Sequence, residues 1–484
     1  MWQLSKKILG WCLAIYVFAF AYYWWRPMPE LLTKAPHTRM VPESSIHFFA
    51  DNTFLDKKNN RKVDQHIWDQ IFTTINHAQH AIILDMFLFN DFQGPTPETT
   101  RPLARELTEK LIAKKVADKH IAITFMTDPI NTVYGGVESP AVERLHKAGI
   151  FMIETNLSAL PDSNIIWSAF WRPFISWWGN TTQGGMLPHP FQFNGNKVTL
   201  RSWFALMNFK ANHRKLLVAD EPSAQGQKMV TIITSSNPHD ASSAHDNVAL
   251  KVDDQIWIDA IQSETLIAKL GDVNLPSYNI GTINDATGTI KVTLLEEKWI
   301  RTKTLELLAN THKGDTVDLF MFYLSDRQII HALIDAANHG VKIRIILDPN
   351  KDAFGFTKNG IPNRPVAKEL MNDSGSDIQI RWCDTHGEQC HSKLMLTKTA
   401  SGTALLLGSA NFTRRNVGDF NLEADILAEG KKEFTAWKDA SAYFNHAWDN
   451  TGGQFTTDYN IYQDDTLWKS SVYRMMERTG LSSF

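Results

Sequence analysis

The chain has 484 residues, which allows two or three domains and excludes a disulfide-stapled mini-protein. Apolar residues make up 43% and charged residues 21%, so a wholly disordered chain is excluded. Lys and Arg (49) nearly balance Asp and Glu (52), without the basic excess of a nucleic-acid binder, and three Cys exclude a four-Cys zinc site.

The first predicted element is a membrane anchor. Residues 8–25 carry no charge, a run of 18 that is near the lower limit for crossing a bilayer. Lys6 and Lys7 precede it, and Tyr22, Tyr23, Trp24 and Trp25 form an aromatic belt at its far end. A cleaved signal peptide is the rival, since Ala19-Phe20-Ala21 fits a cleavage site, but the apolar run continues beyond it. The short basic tail favours an internal N-terminus, with the bulk of the chain outside. In a bacterium that means one pass through the inner membrane and a periplasmic catalytic part.

Strands and helices then alternate. Ile67, Ile71 and Ile75, with Trp68 and Phe72, form a helical stripe, and residues 81–89 read as a buried strand. Residues 158–200 form an aromatic insertion, with Trp167, Phe170, Trp171, Phe174, Trp177 and Trp178 crowded together. Such a cluster suits a membrane interface, with Arg172 meeting lipid phosphate; a packed subdomain is the alternative. Turn residues gather at 271–288. Beyond them, 327–339 reads as a helix closed by Gly340, and 341–347 as a buried strand. Near the C-terminus, Trp468, Val472, Met475, Met476 and Leu481 share a helical face, which suits either a membrane surface or docking on the protein.

The chain repeats itself. Asp85-Met86-Phe87 matches Phe320-Met321-Phe322 at an offset of 235 positions, and the Asp-Pro pairs at 128 and 348 match at 220. His213-Arg214-Lys215 matches His391-Ser392-Lys393 at 178, and Ser235-Ser236-Asn237 matches Ser409-Ala410-Asn411 at 174. The order is the same in both halves, so this is a duplicated domain. The expected division is 1–39 anchor and linker, 40–275 first domain, 276–450 second domain and 451–484 a tail with an amphipathic helix.

One His-x-Lys preceding an apolar strand is usually structural. Two copies, each followed by Ser-x-Asn, describe a phosphodiester site on a pseudo-twofold axis. Imidazole can attack phosphorus, a second imidazole can protonate the leaving oxygen, and Lys and Asn can hold the phosphoryl oxygens.

The doubled pattern resembles the phospholipase D superfamily, whose signature is H-x-K-x4-D followed by G-S-x-N. The resemblance covers nearly all of 45–450. It implies an α/β fold of two tandem domains, each a mixed sheet flanked by helices, related by pseudo-twofold symmetry behind an N-terminal transmembrane helix. It implies no metal or organic cofactor. It assigns His213 as nucleophile and His391 as acid and then base, the reverse order staying open. Lys215 and Lys393 join them, with Asp220 in the motif; Asn237, Asn411, Ser235 and Ser409 would hold or support the phosphate. The family often has an acid about fourteen positions after the Ser; Glu423 fits in the second half, but the first has Ala249, leaving Asp246 or Asp240 as substitutes. The motif Asp is missing at Lys398, and Thr234 replaces Gly. His239 and His245 read as loop histidines without a role. Cys383 and Cys390, just before His391, either pair or stay thiols.

Anchor and insertion look most like cardiolipin synthases, which pass a phosphatidyl group from phosphatidylglycerol to a second lipid through phosphohistidine. The expected partners are membrane phospholipids and not nucleic acid; a homodimer stays open. A hydrolase making phosphatidic acid and a nuclease of the same superfamily are the alternatives.

Overall fold

The computed structural model describes residues 2–224, 226–278 and 288–482, apart from the side chain of Leu467. Part of the expected domain boundary, 279–287, lies outside the described residues.

Two sheets carry the molecule. Across the first, the order is Gly453–Gln454, Ile46–Asp56, Asn247–Val252, Gly226–Thr234, Lys215–Ser223, Ala81–Met86, Ala122–Thr127 and Phe151–Glu154. Across the second it is Thr38–Val41, Ile290–Glu296, Ala424–Gly430, Gly402–Gly408, Lys393–Thr399, Thr316–Met321, Lys342–Leu347, Ile378–Cys383 and Thr456–Asp458. Seven strands recur in the same order in both. In each sheet the strand carrying the motif Lys runs antiparallel to its neighbours, whereas the next two pairs are parallel, so both are mixed.

The edges exchange partners. Strand Thr38–Val41 precedes the first repeat yet pairs with Ile290–Glu296 in the second sheet. Strand Gly453–Gln454 follows the second repeat yet pairs with Ile46–Asp56 in the first.

The alternation of each strand explains the layers. Leu216 and Val218 join Leu394, Leu396, Leu405 and Ile426 in one core between the sheets. Leu217 and Ala219 turn the other way, onto Ile67, Ile71, Phe72 and Ile75 of helix Ile67–His77. Met395 likewise faces the outer core under helix Arg327–Asn338. That helix starts where Asp326 accepts the N–H groups of Gln328 and Ile329, and Gly340, at φ 90°, follows its end. Between the sheets, fully buried Arg214 ties the halves, pairing with Glu264 of the first and Glu297 of the second.

Helix Trp2–Trp24 is long and apolar enough to cross a membrane, with a mean hydropathy of 1.5 over its most apolar window. Its side chains are mostly exposed, and one flank packs on the insertion helix Ile165–Phe174. Tyr16 donates to the Ile166 carbonyl at 3.1 Å, and the Arg172 guanidinium lies 4.2 Å from the Tyr23 ring. Arg172 is thus not turned to solvent for a lipid phosphate, because Asp162 holds it at 2.8 Å. Beyond this helix the insertion does expose Trp177 and Met186, each at 74%, and Phe193.

The C-terminal helix, Leu467–Thr479, is docked on the protein. Tyr473 is fully buried, bonded to Arg327 and Glu369, while Val472 and Met476 pack on the second domain's outer core. Its apolar face therefore covers protein, and Trp468 and Met475 remain exposed on another side.

Candidate active site

His213 and His391 each stand two residues before a motif strand, at the end of each sheet that meets the other half. Both line one cavity of about 370 Å³, together with Asn237 and Asn411. Phe87 packs edgewise on the His213 ring and Phe322 packs tilted on the His391 ring, at 4.7 and 4.9 Å between centroids. Pro190 and Phe191 of the insertion also line it.

Each histidine is held by the opposite half. The His213 N–H donates to the Leu422 carbonyl at 2.8 Å, and the His391 N–H to Asp246 at 2.9 Å. The next residues along meet the rings: Glu423 Oε2 lies 2.9 Å from His213 Nδ1, and Asn247 Oδ1 lies 3.2 Å from His391 Nδ1. Ser409 Oγ donates to Glu423 and Ser235 Oγ to Asn247, so Ser235 and Ser409 position the partners of the histidines rather than hold phosphate.

Asn247 is the residue that spacing missed. Ser235 N–H donates to the Val248 carbonyl as Ser409 N–H donates to Ala424, which equates Asn247 with Glu423. The loop is two residues shorter in the first half, so counting from the serine lands on Ala249. Asp246 and Asp240 do not substitute. Asp246 accepts the Thr53 N–H, and Asp240 accepts that of Ala104. Counting back from the strands Asn247–Val252 and Ala424–Gly430 would have found Asn247.

The same register accounts for Thr234. A Cβ at Gly408 would lie 2.3 Å from the Asp425 carboxylate, which accepts the Ala410 N–H. The first half has Ala249 in place of Asp425, and Thr234 fits there, its hydroxyl on the Val248 carbonyl. The Asp-Pro aspartates also act in parallel: Asp128 accepts the N–H of Asn212 at 2.7 Å, and Asp348 that of Cys390 at 2.8 Å. Each fixes the residue before a catalytic candidate.

Asp220 does not join the site. Its carboxylate accepts the N–H groups of Gln79, His80 and Ala81, anchoring the chain just before strand Ala81–Met86. The equivalent Lys398 instead pairs with exposed Glu433, so the second half manages without that anchor. His239 lines the cavity, with both ring nitrogens engaged by Ser242 and the Phe92 carbonyl. His245 is buried, its ring 5.8 Å from that of His391. Cys383 and Cys390 form a disulfide directly before His391.

Burial sets the electrostatics. It pushes His213 down to about 4 despite the pull of Glu423, and His391, facing Lys393 and His245, well below the usual imidazole range. Glu423 is fully buried, which alone would raise it, yet His213, Lys215 and the Asn416 amide hold it below the ordinary carboxylate range. Lys215 falls to about 7 by burial, against Glu423 and Asp85. Lys393 falls well below its ordinary value, by burial and by Lys215. Both Nζ atoms donate to the carbonyl of their own histidine, at 2.6 and 2.7 Å. Burial thus lowers the proton affinity of all four nitrogen bases, and the negative charge of an entering phosphate would raise it again.

Residues 305–448 match the family described as cardiolipin synthase, PLD-like domain. No curated protein matches the chain. Among solved structures, the phosphatidylserine synthase of Haemophilus influenzae Rd KW20 superposes with a TM-score of 0.55 at 10% identity, covering 93% of this chain and 95% of that one. Nuc of Salmonella typhimurium, a phospholipase D family member, is similar at 17% identity over 35% of this chain and 99% of its own, with a TM-score of 0.27. The doubled motif, the paired sheets and the match over residues 305–448 make the chain similar to the phospholipase D superfamily. Within it, the similarity is to cardiolipin-synthase-type domains.

Proposed function

We propose that this protein is a membrane-anchored phosphatidyltransferase that makes cardiolipin from phosphatidylglycerol and a second phospholipid. The observation that carries the catalytic reading is the crossed pairing: each histidine enters a shared cavity with its Nδ1 held by the other half, leaving Nε2 for chemistry.

Unequal partners give the histidines unequal roles. Glu423 stabilises positive charge on the His213 ring, which develops when that ring binds phosphorus, so His213 is the nucleophile. Asn247 offers His391 no charge, so its imidazolium is the readier acid. His213 Nε2 attacks the phosphorus of phosphatidylglycerol. The P–N bond forms as the P–O bond to glycerol breaks, and His391 gives its proton to the leaving oxygen. An acceptor hydroxyl then returns a proton to His391 while its oxygen attacks phosphorus, and the P–N bond breaks with its electron pair on His213. Lys215, Lys393, Asn237 and Asn411 stabilise the phosphoryl oxygens in both steps. Each half supplies a histidine, so neither half is active alone.

Helix Trp2–Trp24 would hold this site at a bilayer, and Trp177, Met186 and Phe193 would rest in its interface. The disulfide suits an oxidising compartment, which favours the periplasmic face.

The test is full-length protein in phosphatidylglycerol vesicles, with and without phosphatidylethanolamine, its lipid products followed by mass spectrometry. Cardiolipin with released glycerol is expected. Phosphatidic acid alone would make water the acceptor, and no lipid change beside cleavage of single-stranded DNA would make the protein a nuclease.

A further inference from the structure

Two cations line the catalytic cavity from the second half, and none of the lining residues from the first half is a Lys or Arg. Lys358 and Arg415 line it beside Tyr323 and Asn416. In the register that equates Asn237 with Asn411, Arg415 corresponds to Ala241. In the register that equates Phe87 with Phe322, Tyr323 corresponds to Leu88. The duplicated His, Lys and Asn set already serves one phosphate from both sides. The additional positive charge lies on one side only, so it answers to something other than the group on the axis.

Both cations are placed close to the chemistry. Lys358 Nζ bonds the Tyr323 hydroxyl and lies 5.5 Å from the Phe322 ring, the ring that packs on His391. Arg415 adjoins Asn416, whose amide holds Glu423. One of its terminal nitrogens is taken by Ser482, while its Nε is buried without a partner. Neither cation forms an ion pair with a carboxylate among the described residues. The acids that feel them are engaged elsewhere: Glu477 with Ser325 and the Arg414 N–H, Asp348 with the N–H groups of Cys390 and Asn350. Burial also pushes Glu477 up to about 7, which weakens it as a counter-charge.

We propose that Lys358 and Arg415 form a second anion subsite, which takes a phosphate distinct from the one attacked by histidine. The inference rests on the phosphatidyltransferase reading and deepens it: one of the two substrates carries its own phosphate beside the reacting group. That phosphate belongs either to an acceptor phospholipid or to the leaving side of a donor lipid activated as a diphosphate. Water as acceptor requires neither.

The test uses full-length wild type, Lys358→Gln, Arg415→Gln and the double variant, each first scored for turnover of phosphatidylglycerol. No turnover by wild type defeats the transferase reading and is seen before any variant is compared. In the first arm, a second phosphatidylglycerol competes with labelled free glycerol for the phosphatidyl group. If the acceptor supplies the phosphate, the ratio of lipid to glycerol product falls about 10-fold in each single variant and ~100-fold in the double. Arg415→Lys should recover most of it. In the second arm, single-turnover release of the leaving group is compared for CDP-diacylglycerol and phosphatidylglycerol. A selective slowing with the diphosphate donor assigns the phosphate to the donor. Variants that change neither ratio, whether or not overall rates fall, overturn the subsite.

Discussion

The two halves repeat each other down to single hydrogen bonds, and they differ where one histidine must differ from the other. His213 has a buried carboxylate on Nδ1, and His391 an amide in the same place. The backbone bonds of the two histidines, the supporting serines and the preceding aspartates are alike on both sides. In the proposed mechanism, what separates the nucleophile from the acid is one partner side chain, placed by the opposite half.

The sharpest way to break this comparison is to remove each ring in turn. His213→Ala should lower phosphatidyl transfer at least ~10⁴-fold with any leaving group. His391→Ala should lower it about 10²–10⁴-fold with a glycerol leaving group, the range for lost acid–base catalysis. With a p-nitrophenyl leaving group, which needs no proton, His391→Ala should still give a burst of nitrophenol that stops at one equivalent. A burst in His213→Ala instead would reverse the roles.

Exchanging the partners is the next test. Glu423→Gln should cost about 10²-fold in kcat, through lost stabilisation of the charged His213 ring. Asn247→Asp should raise the pKa of His391 and shift the alkaline limb of the pH–rate profile upward by about one unit. An unmoved limb would mean that His391 does not titrate in the reaction.

The pH behaviour follows from burial. Burial pushes His213 down to about 4 and His391 well below the usual imidazole range, so both rings favour the neutral form in the free site. The proposed mechanism needs His391 charged, so in it the bound phosphate anion must raise its pKa. Calorimetric binding of a phosphatidylglycerol analogue in buffers of different ionisation enthalpy should register proton uptake, approaching one. For stability the sign is the usual one for a depressed base: the unfolded chain takes up a proton at this position below ~6.5, native His213 only near 4. Stability due to His213 is full above that window and declines as pH falls through it. A pH series of denaturant midpoints, compared with His213→Ala, isolates the contribution.

The smallest expected effects are structural. Asp220→Asn should lower stability by about 1–3 kcal/mol by weakening three N–H bonds, yet leave activity per folded molecule near wild type. Chemical denaturation and active-site titration measure the two separately. A large loss of turnover would return Asp220 to the chemistry.

Much of this was legible in the sequence. The doubled His-x-Lys and Ser-x-Asn pattern located the cavity, and Glu423 fell at its expected spacing. Asn247 did not, because a two-residue difference in a loop defeats counting, whereas a strand register does not. Amphipathicity showed that the last helix buries a face, but not that Glu369 and Arg327 wait beneath it for Tyr473. Composition brought out Arg172 as a lone cation among aromatics; only the fold sets Asp162 against it. The exchange of edge strands was illegible, since four- and two-residue strands carry too little pattern to name a partner.

That exchange has a mechanical consequence. The N-terminal helix leans on the first half through the insertion, and thirteen or so residues later the chain is stitched into the second half's sheet. The catalytic body therefore hangs from two fixings and cannot swing like a bead on a leash. If the helix spans a bilayer as proposed, the cavity would keep one height and one bearing, and lipids would come to it by lateral diffusion. Lengthening the tether would give no extra reach unless strand Thr38–Val41 were also released.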